Sequence, residues 1–336
     1  MISRREFVGM SFGASAALAL PPELLRALQP LSGKLIQRAI PSSGEMLPVV
    51  GVHFGNPAPP DHAALKEVLR TLVDNGGKFF DAVHGNVATE EVTARIATEL
   101  GVQDRLFLSS RSSPAGPPPP GPSAAATKAQ METSLARFKV PNLDLVLMNP
   151  MADPGHLAAL KEMKKDGRVR YIGMQVIDDR QYAGLETVMR NEPLDFIGID
   201  YSIGNRGAEQ TILPLARERK MGVVAYFPFD AGGLFQRAGT TPLPAWAADF
   251  GARTWAQFFV KYVISHPAVT VVRTGTSQPK HMLDNIAGGS GRLPNQATRR
   301  RMAELVDSWP LAGAAGPQAQ GAARRRAGRH AGPLCR

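Results

Sequence analysis

Short apolar runs alternate with amphipathic stretches over most of this chain. Lys78-Phe79-Phe80 is one such run: Gly76-Gly77 precedes it, Asp81 stops it, and a polar loop leads into a helix at 89–100. Near-continuous apolar strands are the signature of a sheet covered on both faces. The same plan repeats. Helix 62–75 sets Leu65, Val68, Leu69 and Leu72 on one face. Further strands are predicted at 106–111, 143–148, 170–174, 196–199, 223–226 and 269–272. Helices at 126–138, 154–166, 178–190, 208–219 and 254–264 separate them, and another begins near Pro279. The first strand falls within 47–52, after a hairpin that starts at Leu35–Ile40 and turns through Pro41-Ser42-Ser43-Gly44-Glu45. A last helix, 295–308, lies beyond the eight strand–helix units. The pattern predicts an α/β protein: a (β/α)8 TIM barrel with an N-terminal hairpin and an extra C-terminal helix. No Gly-x-Gly-x-x-Gly follows the first strand, which argues against a dinucleotide-binding Rossmann domain.

Both ends differ from this body. Ser3-Arg4-Arg5-Glu6-Phe7 precedes a weakly apolar run, and Ala17-Leu18-Ala19 would serve as a cleavage site. Residues 1–30 resemble a twin-arginine signal, which implies export by the twin-arginine machinery to a periplasmic or other extracytoplasmic location. Residues 31–310 form the barrel unit, and 311–336, rich in Gly, Ala, Pro, Gln and Arg, read as a disordered basic tail. That tail changes the meaning of the formal charge of +10, because Arg324, Arg325, Arg326, Arg329 and Arg336 supply about half of it. The body is only mildly basic and shows no basic stripe with interleaved aromatics, so no nucleic-acid partner is expected. No stable membrane span is expected either. The single cysteine, Cys335, excludes an internal disulfide and a Cys-based metal site, and no metal is expected. The proline-rich stretch 112–123 is predicted to be a loop or polyproline II.

In a barrel of this kind the C-terminal tips of the strands hold the site, so Asp81 at the end of its strand is the first candidate. The segments GGKFFDAV, DFIGIDYSIGNRGAEQTILPLA, VVAYFPFDAGGL and WAQFFVKYVISHPAVTVVRTGTSQPKHMLDN resemble those of the aldo/keto reductases, and the likeness covers most of 35–308. The resemblance implies NADPH-dependent reduction of a carbonyl compound. In that family a Tyr donates the proton, a Lys held by an Asp tunes it, and a His orients the substrate oxygen. By position the Asp is Asp81, the Tyr is Asn86, the Lys is Arg111 and the His is Asn149. Asn86 has no titratable proton, and Arg111 keeps the charge but is too weak an acid to transfer a proton. Arg111 is therefore expected to form an ion pair with Asp81 at the barrel mouth. His84, in the same loop, has a suitable pKa for acid–base work.

The resemblance also implies cofactor positions. The pair that would hold the nicotinamide amide is Gln175-Val176, and the matching Gln is Gly198. Tyr226 stands where an aromatic stacks on the nicotinamide. Gly275, Thr276 and Ser277, with Lys280, His281 and Asn285 at the head of a helix, match the phosphate side, where backbone N–H groups suit an anion. Two readings follow: an exported NADP(H)-dependent oxidoreductase with altered acid–base chemistry, or a catalytically inactive barrel that binds a nucleotide, a small ligand or a partner protein.

Overall fold

The computed structural model describes residues 34–54, 61–82, 87–112, 124–148 and 154–310. The expected signal and basic tail lie outside these residues, as do His84, Asn86, Asn149 and the proline-rich stretch beyond Ser112.

Strands β1 (Gln37–Ala39) and β2 (Met46–Pro48) pair antiparallel, with Arg38 opposite Leu47. Gly44 closes their turn at φ +78, a left-handed conformation that a side chain would disfavour. The barrel strands are β3 (Val50–Phe54), β4 (Phe79–Asp81), β5 (Phe107–Ser112), β6 (Leu143–Met148), β7 (Val169–Val176), β8 (Phe196–Asp200), β9 (Gly222–Tyr226) and β10 (Val271–Thr276). All pair in parallel, and β10 joins both β9 and β3 to close the ring. Helices α1 (His62–Asp74), α2 (Val87–Leu100), α3 (Ala124–Phe138), α4 (Pro154–Lys165), α5 (Tyr182–Asn191), α6 (Ile212–Glu218), α7 (Gly233–Ala238), α8 (Trp255–Ile264), α9 (Pro279–Gly288) and α10 (Gln296–Asp307) complete the order. Asp61, Thr254 and Asn295 accept the free amides that open α1, α8 and α10.

Side-chain alternation along the strands builds two apolar layers. Val50, Val52, Val146, Ile172, Ile197 and Val223 face the helices. Phe79, Phe107, Leu145, Tyr171, Phe196, Val224 and Val271 fill the ring, where Ile40 and Leu47 of the hairpin join them. Phe79 stacks on Phe107 at 5.7 Å, and Phe107 on Tyr171 at 5.9 Å. Each such ring, fully buried, contributes roughly 1.5–3 kcal/mol. The Arg38 guanidinium donates to the carbonyls of Ile264 and His266, which ties the hairpin to the end of α8. The hairpin thus plugs the floor of the barrel.

Several boundaries moved. The eighth strand, predicted at 269–272, runs from Val271 to Thr276, and Asp81 is the last strand residue rather than the residue after it. Predicted helices 178–190 and 208–219 each open with a separate turn, Asp179–Gln181 and Gly207–Glu209. The predicted strand 47–52 divides between β2 and β3, because the hairpin pairs first and the chain then turns into the ring. Among the described residues no helix is long and apolar enough to cross a membrane.

Candidate active site

The rule that fills the ring also makes the site. Counting by twos from the inward apolar residues, Phe79 leads to Asp81, Phe107 to Arg111, Phe196 to Gly198, Val224 to Tyr226 and Val271 to Arg273. Apolar layers lie below and a polar layer lies above, at the C-terminal ends of the strands.

Asp81 is fully buried, and two guanidiniums converge on one of its oxygens. Arg273 Nε donates to Oδ2 at 2.6 Å and Arg111 Nη2 donates to the same atom at 3.3 Å. The predicted Asp81–Arg111 pair is present, but Arg273 is the closer partner. Both cations also face Tyr226, with the Arg273 and Arg111 guanidinium carbons 4.5 and 5.1 Å from its ring centre. On another side Tyr226 packs against Gly198, where a Cβ would lie inside van der Waals contact with the ring edge. The position that the resemblance assigns to an amide-holding side chain therefore gives its space to Tyr226. The same Cβ would also meet Gln175 Cβ at 3.0 Å.

Polar satisfaction stops short here. Asp81 Oδ1, Arg111 Nε, Arg273 Nη2 and Gln175 Oε1 are buried without a hydrogen-bond partner among the described residues, and the Tyr226 hydroxyl lies close to Arg111 without a bond of good geometry. Burial pushes the Tyr226 phenol up to about 12, Asp81 adds to the shift and the two arginines oppose it, so the group is neutral at pH 7. Burial, the largest single effect, disfavours the charge of Arg111, but Asp81 and Tyr226 together outweigh it and the pKa rises. For Arg273 the balance reverses: burial lowers its pKa despite Asp81. The two arginines share one carboxylate, and the difference follows exposure, since the Arg111 side chain is 16 % exposed and that of Arg273 only 2 %.

Beside Arg273 opens a cavity of about 360 Å³, lined by His53, Phe227, Phe229, Phe235, Arg273 and Gly275 among others. Its wall is the turn after β9, where Phe227, Asp230 and Ala231 hold φ near +50, a region that non-glycine residues rarely occupy and that collects at functional sites. Next to it Thr276 Oγ1 accepts from the Gln278 amide, Pro279 opens α9, and Lys280 and His281 are exposed on its first turn. Ser277 is half-buried and Asn285 buried. Partial burial, then Lys280, lowers the His281 pKa. Gly275 to His281 thus run without a break from the end of β10 into the first turn of α9, with Asn285 buried further along that helix. Larger hollows lie elsewhere, one of about 700 Å³ around Glu45, Asp144 and Arg170 at the floor. Size does not identify the site, because the charges of that hollow bond one another.

The structure brings Asp81, Arg111 and Tyr226 together, with Gln175 next to Gly198 on the neighbouring strand; Gly275 shares the cavity beside Arg273, and Thr276, Ser277, Lys280, His281 and Asn285 follow it along the end of β10 and α9. His84, Asn86 and Asn149 fall outside the described residues. Tyr226 is present but fully buried beneath the arginines, so neither of its ring faces is open surface. Arg273 escaped the sequence reading. Its signal was a charge at an inward position of an apolar strand, Val271-Val272-Arg273, which the early strand end at 272 hid. Among the described residues no group of His, Cys, Asp and Glu could hold a metal ion.

Comparison with known proteins gives the lineage. The chain is 28% identical to the methylglyoxal reductase YeaE of Escherichia coli (strain K12), an alignment that covers 70% of this chain and 84% of that one. It is 24% identical to "Probable aldo-keto reductase 1" of Glycine max, over 74% of this chain and 80% of the relative. Among solved structures, an aldo-keto reductase from Klebsiella pneumoniae in complex with NADPH superposes with a TM-score of 0.65 at 20% identity, covering 82% of this chain and 95% of that one. A second Klebsiella pneumoniae aldo/keto reductase, in complex with NADP and acetate, gives 0.65 at 23% identity, covering 80% and 94%. The aldo/keto reductase family model matches residues 51–301, and the chain belongs to that family.

Proposed function

We propose that this protein is an NADP(H)-dependent oxidoreductase that acts on a small carbonyl compound with altered acid–base chemistry. The observation that carries the reading is the Asp81–Arg111–Arg273 cluster at the mouth of a barrel of this family. Reduction of a carbonyl builds negative charge on its oxygen, and fixed cations in a water-poor site stabilise that charge. Arg111, the more exposed of the two, stands where the family keeps its lysine and polarises the oxygen. Asp81 holds both cations in place. Neither arginine releases a proton at neutral pH, so His84 or a water supplies it. Asn149 donates a hydrogen bond to the substrate oxygen.

For the cofactor, the phosphate side fits: the backbone of Gly275, Thr276 and Ser277, the start of α9 and Lys280 offer N–H groups and a cation at an open rim. The other end differs, with Gln175, Val176 and Gly198 in the amide-holding places and Tyr226 covered. When bound, reduced nicotinamide supplies the hydride. The relatives named above support both parts of the reading, one being called a methylglyoxal reductase and two holding NADPH or NADP in their structures. The Ser3-Arg4-Arg5-Glu6-Phe7 segment supports export of the protein through the twin-arginine machinery. A catalytically inactive, ligand-binding barrel is the second reading, and the covered Tyr226 ring favours it.

Titrating NADPH into the purified protein and following its fluorescence, then adding an aldehyde panel that includes methylglyoxal, separates the two. Saturable binding followed by oxidation is the expected result. Binding without oxidation selects the second reading, and no binding overturns the cofactor assignment.

A further inference from the structure

Among the described residues, the charges that meet at Asp81 do not balance. Asp81 is the only carboxylate among the described residues within ion-pair reach of Arg111 or Arg273, and it meets both through one oxygen. Among the described residues one carboxylate faces two guanidiniums, which leaves a surplus positive charge in a buried place. An unpaired buried charge is among the costliest arrangements a fold can hold, and several kcal/mol is a common penalty. Aromatic faces reduce this penalty without cancelling it, and Tyr226 is neutral. Arg273 has spent Nε on Asp81, and its Nη2 is buried with no partner. The same side chain borders the cavity, which Phe227, Phe229 and Phe235 also line, with His53 on the neighbouring strand β3 against Gly275.

We propose that the ligand of this mouth is a small organic anion: a carbonyl compound with a carboxylate group, which Arg273 binds while Arg111 polarises the neighbouring carbonyl. The inference rests on the reductase reading for its chemistry, but the anion site itself does not. A fork-shaped guanidinium suits a carboxylate, and the pair gains from exclusion of water. The aromatic walls accept a short carbon skeleton. The group assignment favours substrate over cofactor phosphate for a positional reason. Arg273 points into the strand ring toward Asp81, while the amides that suit a phosphate begin after Thr276, on the outer rim. Both sources share anionic oxygen chemistry, so the test must separate them.

Oxalate is the probe, as an unreactive carboxylate of the right size. Calorimetric titration of oxalate into the cofactor-free protein is expected to show saturable binding that weakens about tenfold or more in Arg273→Gln and only partly in Arg273→Lys. Pyrophosphate and adenosine 2′-phosphate are titrated in parallel. In turnover assays with NADPH, glyoxylate is expected to exceed glycolaldehyde by about tenfold or more in kcat/KM, with the preference lost in Arg273→Gln. Circular dichroism of both variants confirms folding, and the wild-type titrations stand without them. Arg273-dependent binding of pyrophosphate but not oxalate would assign the charge to the cofactor and overturn the proposal. Absence of binding by any anion would overturn it too. Equal reduction of both aldehydes without oxalate binding would sink the anion site and leave the reductase reading intact. Oxalate binding that depends on Arg273, with no turnover of any carbonyl, would support the anion site and sink the reductase reading.

Discussion

The two ends of this barrel treat their polar groups in opposite ways. At the floor, Asp144 accepts the Leu108 amide at 2.7 Å and takes Arg170 as well, Glu45 accepts from Arg170 at 2.5 Å and from the Tyr171 hydroxyl at 2.8 Å, and Asp195 accepts the Ile172 amide at 2.9 Å while pairing with Lys164. Floor carboxylates thus tie strand ends to one another and to the hairpin plug. At the mouth, Asp81, Arg111, Arg273 and Gln175 each keep a buried atom without a partner among the described residues. A floor built only to hold the ring together satisfies its polar groups; a mouth built to meet a ligand leaves some of them for it.

The comparison breaks first at Asp81. Asp81→Ala would leave two buried guanidiniums without their carboxylate, and a loss of about 3–5 kcal/mol in denaturant unfolding is expected. A loss under 1 kcal/mol would mean that solvent reaches both arginines freely. The floor has its own sensitive group, His266, whose pKa burial, assisted by Arg299, Arg217 and Arg38 and opposed by Glu209, lowers from 6.5 to about 4. Between those values the unfolded chain binds a proton that the folded protein refuses. Stability should therefore fall as pH drops from about 6.5 toward 4, and the slope should flatten in His266→Gln, as followed by thermal melts.

Next comes Gly198→Ala, where the added methyl group meets the Tyr226 ring; about 1–3 kcal/mol should be lost, with a changed tyrosine near-ultraviolet signal. Unchanged stability would show that Tyr226 moves aside readily, which would open its ring for stacking. The smallest effect is expected at Glu45→Ala. Its pair with Arg170 is over a third exposed on both sides, so about 0.2–1 kcal/mol is expected despite the network it joins.

The strand order, the hairpin and the barrel closure were legible because the ring is buried on both faces and its strands read as apolar runs bounded by Gly and turn residues. Two of the boundary errors sit where short elements adjoin, at 178–182 and 207–212, since a single turn carries too few residues for a periodicity. The site was half legible. Asp81 and Arg111 end inward runs and showed themselves as charges at strand tips. Arg273 comes from 192 positions further along the chain, and only closure of β10 against β3 brings it to Asp81. The burial of Tyr226 depended on Gly198 across the β8–β9 pair, a relation between strands that no single stretch contains.

The central claim is that Arg273 serves a ligand rather than the fold. Replacing it with methionine keeps much of its volume, removes the surplus charge, and leaves Asp81 paired with Arg111. Equilibrium denaturation of Arg273→Met in the absence of ligand should show stability equal to or above that of the wild type, by up to about 1–4 kcal/mol. A loss of about 3 kcal/mol or more would contradict the account and make Arg273 a strut of the barrel.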